Sequence, residues 1–161
     1  MIAASHIVAG AATGALCRRA WIAVPVAFAG HFVLDQIPHS CFNALPPAAW
    51  TGWPRSLTYA GLAMDGAIIL VAAVLAWRHP TRWVVIAAAI AAFAPDPLCY
   101  MPPLSEWFAL LPGSSVVPWI HSTFHCDVTR THCALGFATQ VLVIGAGLWV
   151  LAPVRPPKPA N

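Results

Sequence analysis

The sequence predicts an all-α polytopic membrane helix bundle of about five transmembrane helices plus a short interfacial helix. Three observations carry that prediction. Of 161 residues, 60% are hydrophobic and 8% are charged, against roughly 25% charged in an ordinary soluble domain, so a polar skin cannot be assembled. Mean hydropathy is +0.74. The apolar residues fall in long runs separated by proline and arginine, which is the pattern of successive membrane passes. The same composition excludes a disordered chain and, lacking any repeat or dense cysteine pattern, a collagen or a disulfide scaffold. The eight basic residues form no stripe, so no nucleic-acid partner is expected.

The runs lie at about 2–16, 20–38, 56–77, 81–96 and 133–152. A helix needs about 20 residues to cross a ~30 Å hydrocarbon core, so the first and fourth runs are short and require local thinning or polar flanks. Breaks fall at Cys17-Arg18-Arg19, at Pro46-Pro47 and Trp53-Pro54, at Arg78-His79-Pro80, and from Pro95 to Pro103. Between the fourth and fifth runs, Ser105 to Leu111 reads as the interfacial helix, capped by Ser105 and ended by Pro112-Gly113. Pro118 marks the first turn of another helix, which either stops or runs on into the fifth span. Residues 1–152 thus form a single transmembrane domain, and 153–161 a proline-rich, basic, disordered tail.

Five passes put Arg18, Arg19, Arg78, Arg82, Arg155 and Lys158 on one side, and Arg55 and Arg130 on the other. The positive-inside rule makes the first side cytoplasmic, with the N-terminus outside and the C-terminus inside a bacterial plasma membrane. Ala27-Phe28-Ala29 has the form of a signal-peptidase site, but the residues before Arg18 are apolar and the run continues as helix, so no cleavage is expected. The cysteines Cys17, Cys41, Cys99, Cys126 and Cys133 have no CxxC spacing. Cys41 and Cys99 either pair on an oxidising side or remain small apolar residues.

The polar residues are distributed less evenly than solvation requires. All five acids and every histidine except His79 fall in the outer half of this topology. His31, Asp35 and His39 are spaced i, i+4, i+8 on one helical face, and His121 and His125 repeat the i, i+4 spacing. Two histidines one turn apart can hold the same ion. His132 falls near them if the helix is continuous. Imidazole and carboxylate together suit a divalent metal, zinc first, with manganese or iron as alternatives and one or two ions. His6, His31, Asp35, His121 and His125 are the candidate ligands. Asp65 lies inside an apolar run, where a charge costs about 2.5–3.5 kcal/mol, so it needs a partner or a function. Asp127 and Arg130, three apart, need be no more than a surface pair.

Four segments resemble the membrane-bound metal-dependent hydrolase family, small bacterial inner-membrane proteins with histidine and aspartate signatures. They are Ser5-His6-Ile7-Val8-Ala9-Gly10, Gly30-His31-Phe32-Val33-Leu34-Asp35-Gln36-Ile37-Pro38-His39, Ala94-Pro95-Asp96-Pro97 and His121-Ser122-Thr123-Phe124-His125. The resemblance implies hydrolase activity.

The functional expectation is therefore a metal-dependent hydrolase working at the external membrane interface. The cation lowers the pKa of a bound water towards ~7. Asp65 or Asp96 orients a ligand, completes a second metal position or acts as general base. Arg55 and Arg130 are the basic side chains available to bind an anionic group. The location suggests a lipid or lipid-linked phosphoester as substrate, with the bilayer itself the other partner. The rivals are a metal-ion or proton transporter, favoured by Asp65, a haem protein using paired histidines, and a non-catalytic assembly factor.

Overall fold

The computed structural model describes residues 2–39, 55–126 and 133–152. The tail from Pro153 to Asn161, and with it the expected disorder, lies outside them, as do Cys41, Asp127, Arg130 and His132. Cys99 carries a free thiol. Every described element is a helix: α1 (Ala3–Cys17), α2 (Ala20–Asp35), α3 (Arg55–Arg78), α4 (Arg82–Phe93), α5 (Pro95–Tyr100), α6 (Leu104–Ala109), α7 (Val116–Phe124) and α8 (Cys133–Leu151).

Three stretches are long and apolar enough to cross a membrane: Tyr59–Arg78, Arg82–Tyr100 and Ala134–Leu151. The fourth run is therefore longer than its sequence reading. α4 is followed at once by α5, because Pro95 enters at a first-turn position where its missing amide costs nothing. α1 and α2 have 15 and 16 residues, about 23 Å of helix at 1.5 Å per residue.

Two helix boundaries differ from the sequence reading. α6 begins at Leu104 with Pro103 at its N-cap position, so Ser105 sits inside the helix and caps nothing; the restricted φ of a proline already suits a helix start. α7 carries Pro118 in its first turn, as expected, but ends at Phe124 with His125 extended at φ −78° and ψ 121°. It does not run straight into α8. The Cys126 amide donates to the Asp35 carbonyl at 2.7 Å and the His39 amide donates to the Cys126 carbonyl at 3.3 Å. The chain after α7 thus pairs with the chain after α2, and that pairing takes the place of another helical turn.

α1 is the central helix and touches α2, α3, α4 and α8. Packing is inverted relative to a soluble protein. Among the described residues the buried apolar side chains are alanines except for Val8, Val85, Pro95 and Leu151. The large ones, Leu70, Ile90, Val141, Leu142, Trp21, Trp83 and Trp149 among them, face outward. Small residues inside let backbones approach, which is how helices associate where lipid is as apolar as leucine. Gly10 and Gly14, one turn apart on α1, press on α4: a Cβ on Gly10 would lie 2.5 Å from the Ala92 Cβ, and one on Gly14 would lie 2.6 Å from the Val85 Cα. On the other side Gly147 of α8 packs against Val8.

These contacts predict the cost of widening α1. Gly14→Leu should destabilise the bundle by about 1–3 kcal/mol or more through overpacking. Gly30→Ala and Gly66→Ala, where an added Cβ meets nothing within 4 Å, should be neutral or stabilising by up to about 1 kcal/mol. Thermal unfolding in detergent, followed by circular dichroism, measures both; equal melting of all three variants would contradict the close α1–α4 approach.

Candidate metal centre

The close packing sets the depth at which α1 begins, and His6 shares its face with Gly10 and Gly14 at i, i+4, i+8. His6 therefore enters the interior beside α2. Its ring stacks on His31 with centroids 4.0 Å apart, and its Nε2 lies 3.2 Å from Asp35 Oδ1. His31 and Asp35, one turn apart on α2, put His31 Nε2 3.1 Å from Asp35 Oδ2. Asp96, in the first turn of α5, places Oδ1 3.6 Å from His31 Nε2 and 3.0 Å from His121 Nε2. His121 comes from α7 and also reaches Asp35 Oδ2, at 3.2 Å. His6, His31, Asp35 and His121 are all buried.

His31, Asp35, Asp96 and His121 form a group that could hold a metal ion, their ligand atoms all lying within 4.8 Å of one another. Two ligand atoms each ~2.1 Å from an ion in tetrahedral geometry lie ~3.4 Å apart, close to the separations here. A second group, Asp35, His39 and His125, meets the same criterion and shares Asp35. Neither contains a thiol. Nitrogen and oxygen donors without sulfur suit zinc, manganese or iron.

The hydrogen bonds bear on whether this set fits an ion or merely satisfies itself. His31 Nδ1 lies 2.8 Å from the Ala92 carbonyl. A carbonyl only accepts, so Nδ1 carries the proton, and in the neutral ring Nε2 presents a lone pair to Asp35. That nitrogen is buried and makes no hydrogen bond, as is His6 Nε2. A lone pair 3.1 Å from a carboxylate oxygen requires a cation or proton beside it. His39 repeats the arrangement, with Nδ1 on the Ile37 carbonyl at 2.8 Å, and His121 Nδ1 lies 2.9 Å from the Tyr100 hydroxyl. Three histidines thus have Nδ1 tied to a neighbour and Nε2 turned inward, the arrangement in which an outer partner orients a metal-binding imidazole. The donor set fits a divalent ion.

The two groups at the outer edge titrate in opposite directions. Burial disfavours the His121 imidazolium, but hydrogen bonds to Asp35 and Asp96 outweigh it and raise the pKa to about 9. Burial lowers that of His125 to about 4, leaving it neutral at pH 7.

Of the expected ligands, His31, Asp35 and His121 come together in the first group. His125 joins the second, and its ring meets His39 edge-on at 4.6 Å. His6 stands outside both sets, against Asp35. Asp96, expected to orient a ligand, complete a second metal position or act as general base, lies among the donors of the first group. Asp65 does not reach the centre. Its Oδ1 accepts the Ala4 amide at 2.8 Å, while Gln140 Oε1 accepts the Ile2 amide at 3.1 Å and the Ser5 amide bonds back to the Ile2 carbonyl. Asp65 thus serves the amides that begin α1, which otherwise lack partners. The Arg55 side chain and Arg130 lie outside the described residues.

His39, aligned with His31 and Asp35 by its spacing in the sequence, lies beyond the helix, since α2 ends at Asp35, and the pairing with Cys126 brings it in. Tyr100 escaped the sequence reading, although it did have a signal, its i, i+4 spacing from Asp96 on α5.

Two predictions follow from these contacts. Asp65→Ala should destabilise by about 1–3 kcal/mol by stranding buried amides, while leaving the metal content of the purified protein unchanged; loss of metal in a folded variant would return Asp65 to the centre. In chelator-treated protein, His121 has a folded pKa of about 9 above its ordinary 6.5. The stabilisation from its pairing is then fully present below pH 6.5 and lost as pH rises through about 9. Melting temperature against pH should fall across that window, and His121→Gln should flatten the profile. No family model, curated protein or solved structure matches this chain.

Proposed function

We propose that this chain is a five-pass protein of the bacterial inner membrane and a metal-dependent hydrolase. Its N-terminus lies outside, its C-terminus lies in the cytoplasm, and its centre opens at the external interface. The observation that carries the proposal is the inward presentation of His31 and His121 Nε2 around Asp35 and Asp96, each ring held from behind at Nδ1.

The membrane assignment is supported by the inverted packing and by charge. Arg18, Arg19, Arg78 and Arg82 lie at the helix ends opposite the centre, beside exposed Trp21, Trp77 and Trp83, as expected of a cytoplasmic boundary with its aromatic belt. Leu151 packs with Ala15, Ala76 and Val85, so α8 ends at that same boundary. The positive-inside rule then puts the His/Asp centre on the external side.

His31, Asp35, Asp96 and His121 would hold the ion, zinc being the first choice, and a bound divalent ion polarises a phosphoryl or carbonyl oxygen and acidifies water. The chain's own groups supply the rest. Asp35, buried among three imidazoles, stays fixed. Asp96 is the more open carboxylate, its side chain 27% exposed against 2% for Asp35. Its Oδ1 faces the ring nitrogens, which leaves Oδ2 to position a water and take its proton. A lipid or lipid-linked phosphoester is the substrate class that reaches such a depth, with Arg55 and Arg130 the basic residues that a five-pass topology assigns to the same side.

The transporter reading drew on Asp65. That carboxylate is engaged with the start of α1, and Gln140 joins it there, so each has a structural partner that needs no transport path to explain it.

Elemental analysis of gently purified protein should find at least one equivalent of a transition metal, and Asp35→Asn should lose it. A screen of phospholipids and polyprenyl phosphates should then find hydrolysis that Asp96→Asn lowers by about 10²–10⁴-fold. Protein without stoichiometric metal would overturn the proposal.

A further inference from the structure

The second donor group lies outside the centre that the proposed function uses. His39 is fully buried, although it follows Pro38 beyond the end of α2. It is held there by backbone pairing with Cys126 and by its own ring, whose Nδ1 bonds the Ile37 carbonyl at 2.8 Å. That carbonyl can only accept, so in the neutral ring the lone pair sits on Nε2. The Nε2 of His125 faces it at 3.3 Å, close to the ~3.4 Å edge of a tetrahedral site with ~2.1 Å bonds. A carboxylate oxygen of Asp35 completes the trio within 4.8 Å.

Asp35 is positioned for two tasks at once. Its Oδ1 faces His6 at 3.2 Å, and its Oδ2 faces His31 at 3.1 Å and His121 at 3.2 Å. Its main-chain carbonyl accepts the Cys126 amide, so the same residue anchors the strand-like segment that delivers His125. The two donor groups are therefore joined through one rigid residue, and the His121 and His125 rings lie 5.2 Å apart across the junction.

We propose that Asp35, His39 and His125 form a second divalent-cation position, so that the Asp35 carboxylate is shared between two ions. Paired ions ~3.5–4 Å apart are the usual arrangement of two-metal hydrolytic sites, where they clamp the attacking and leaving oxygens of an in-line displacement. The inference rests on the metal-dependent reading of the first group.

Full-length protein in detergent, stripped with chelator and dialysed against Mn²⁺ or Zn²⁺, should bind two equivalents. His39→Gln and His125→Gln should each reduce this to one, and Asp35→Asn should lose both. Two equivalents retained by both glutamine variants, or one equivalent in the parent that both retain, would overturn the inference and leave the single-ion hydrolase intact. No stoichiometric metal in the parent would overturn both. Because His39 also stabilises a backbone pairing, the paramagnetic resonance spectrum of the unaltered Mn²⁺-loaded protein gives an independent reading. Exchange-coupled ions support the shared carboxylate, and the spectrum of magnetically isolated ions at full loading overturns it.

Discussion

A buried carboxylate, its side chain 2% exposed, set among apolar helices, is an unfavourable arrangement unless positive charge or hydrogen bonds surround it. Three imidazoles face Asp35 from three directions, His6 from α1, His31 one turn earlier on α2 and His121 from α7; a proton on His121, whose pKa is raised to about 9, contributes the positive charge. The rest of the outer half is arranged around it. Asp96 and Tyr100, one turn apart on α5, both reach His121, at Nε2 and Nδ1 respectively. The backbone of Asp35 holds the segment that ends α7. Replacing Asp35 would therefore disturb more than its own side-chain contacts, since the connections after α2 and α7 meet there.

Delivering His6 to that point demands a second arrangement deeper in the bundle. α1 must start beside the centre and run close to α4, which only residues without bulky side chains allow. Gly10 and Gly14 supply the contact on α1, and Val85, Ala88 and Ala92 the surface on α4. Ala92 then has two roles, since its methyl group packs on Gly10 and its carbonyl fixes the His31 tautomer. Starting a helix inside the bundle leaves its first amides without water, and Asp65 and Gln140 answer that need from α3 and α8. An acid and an amide set in apolar helices thereby satisfy the amides of a helix terminus.

The chemical character of the centre follows from how the rings are tethered. A histidine whose Nδ1 proton is committed to a carbonyl offers Nε2 as a lone pair, and several lone pairs facing carboxylates repel unless a cation lies among them. A self-satisfied hydrogen-bond network would instead pair each ring N–H with an inward carboxylate. His121 does make such a bond to Asp96, whereas the inward nitrogens of His6 and His31 make none. That mixture is compatible with an ion among the rings and is what the metal-dependent reading draws on.

Much of the helical layout was legible in the sequence, because hydropathy, proline and arginine act locally. The five apolar runs match α1, α2, α3, α4 and α8 within a few residues, and the i, i+4 pairing of His31 with Asp35 is a property of one helix. Even the gathering of acids and histidines at one end could be read from charge placement. What the sequence could not supply were relations between distant segments. Asp65 and Ala4 are 61 residues apart, as are His31 and Ala92. His39 and His125 are separated by 86. The i+8 register that seemed to align His39 ended with α2 at Asp35, and a backbone pairing brought the residue back to the same place. Side-chain type and helical period determined which groups could be ligands. The close approach of α1 to α4, and the choice of carbonyl or hydroxyl behind each ring, decided which nitrogen faces inward and which acid caps a helix, because those depend on packing across the bundle.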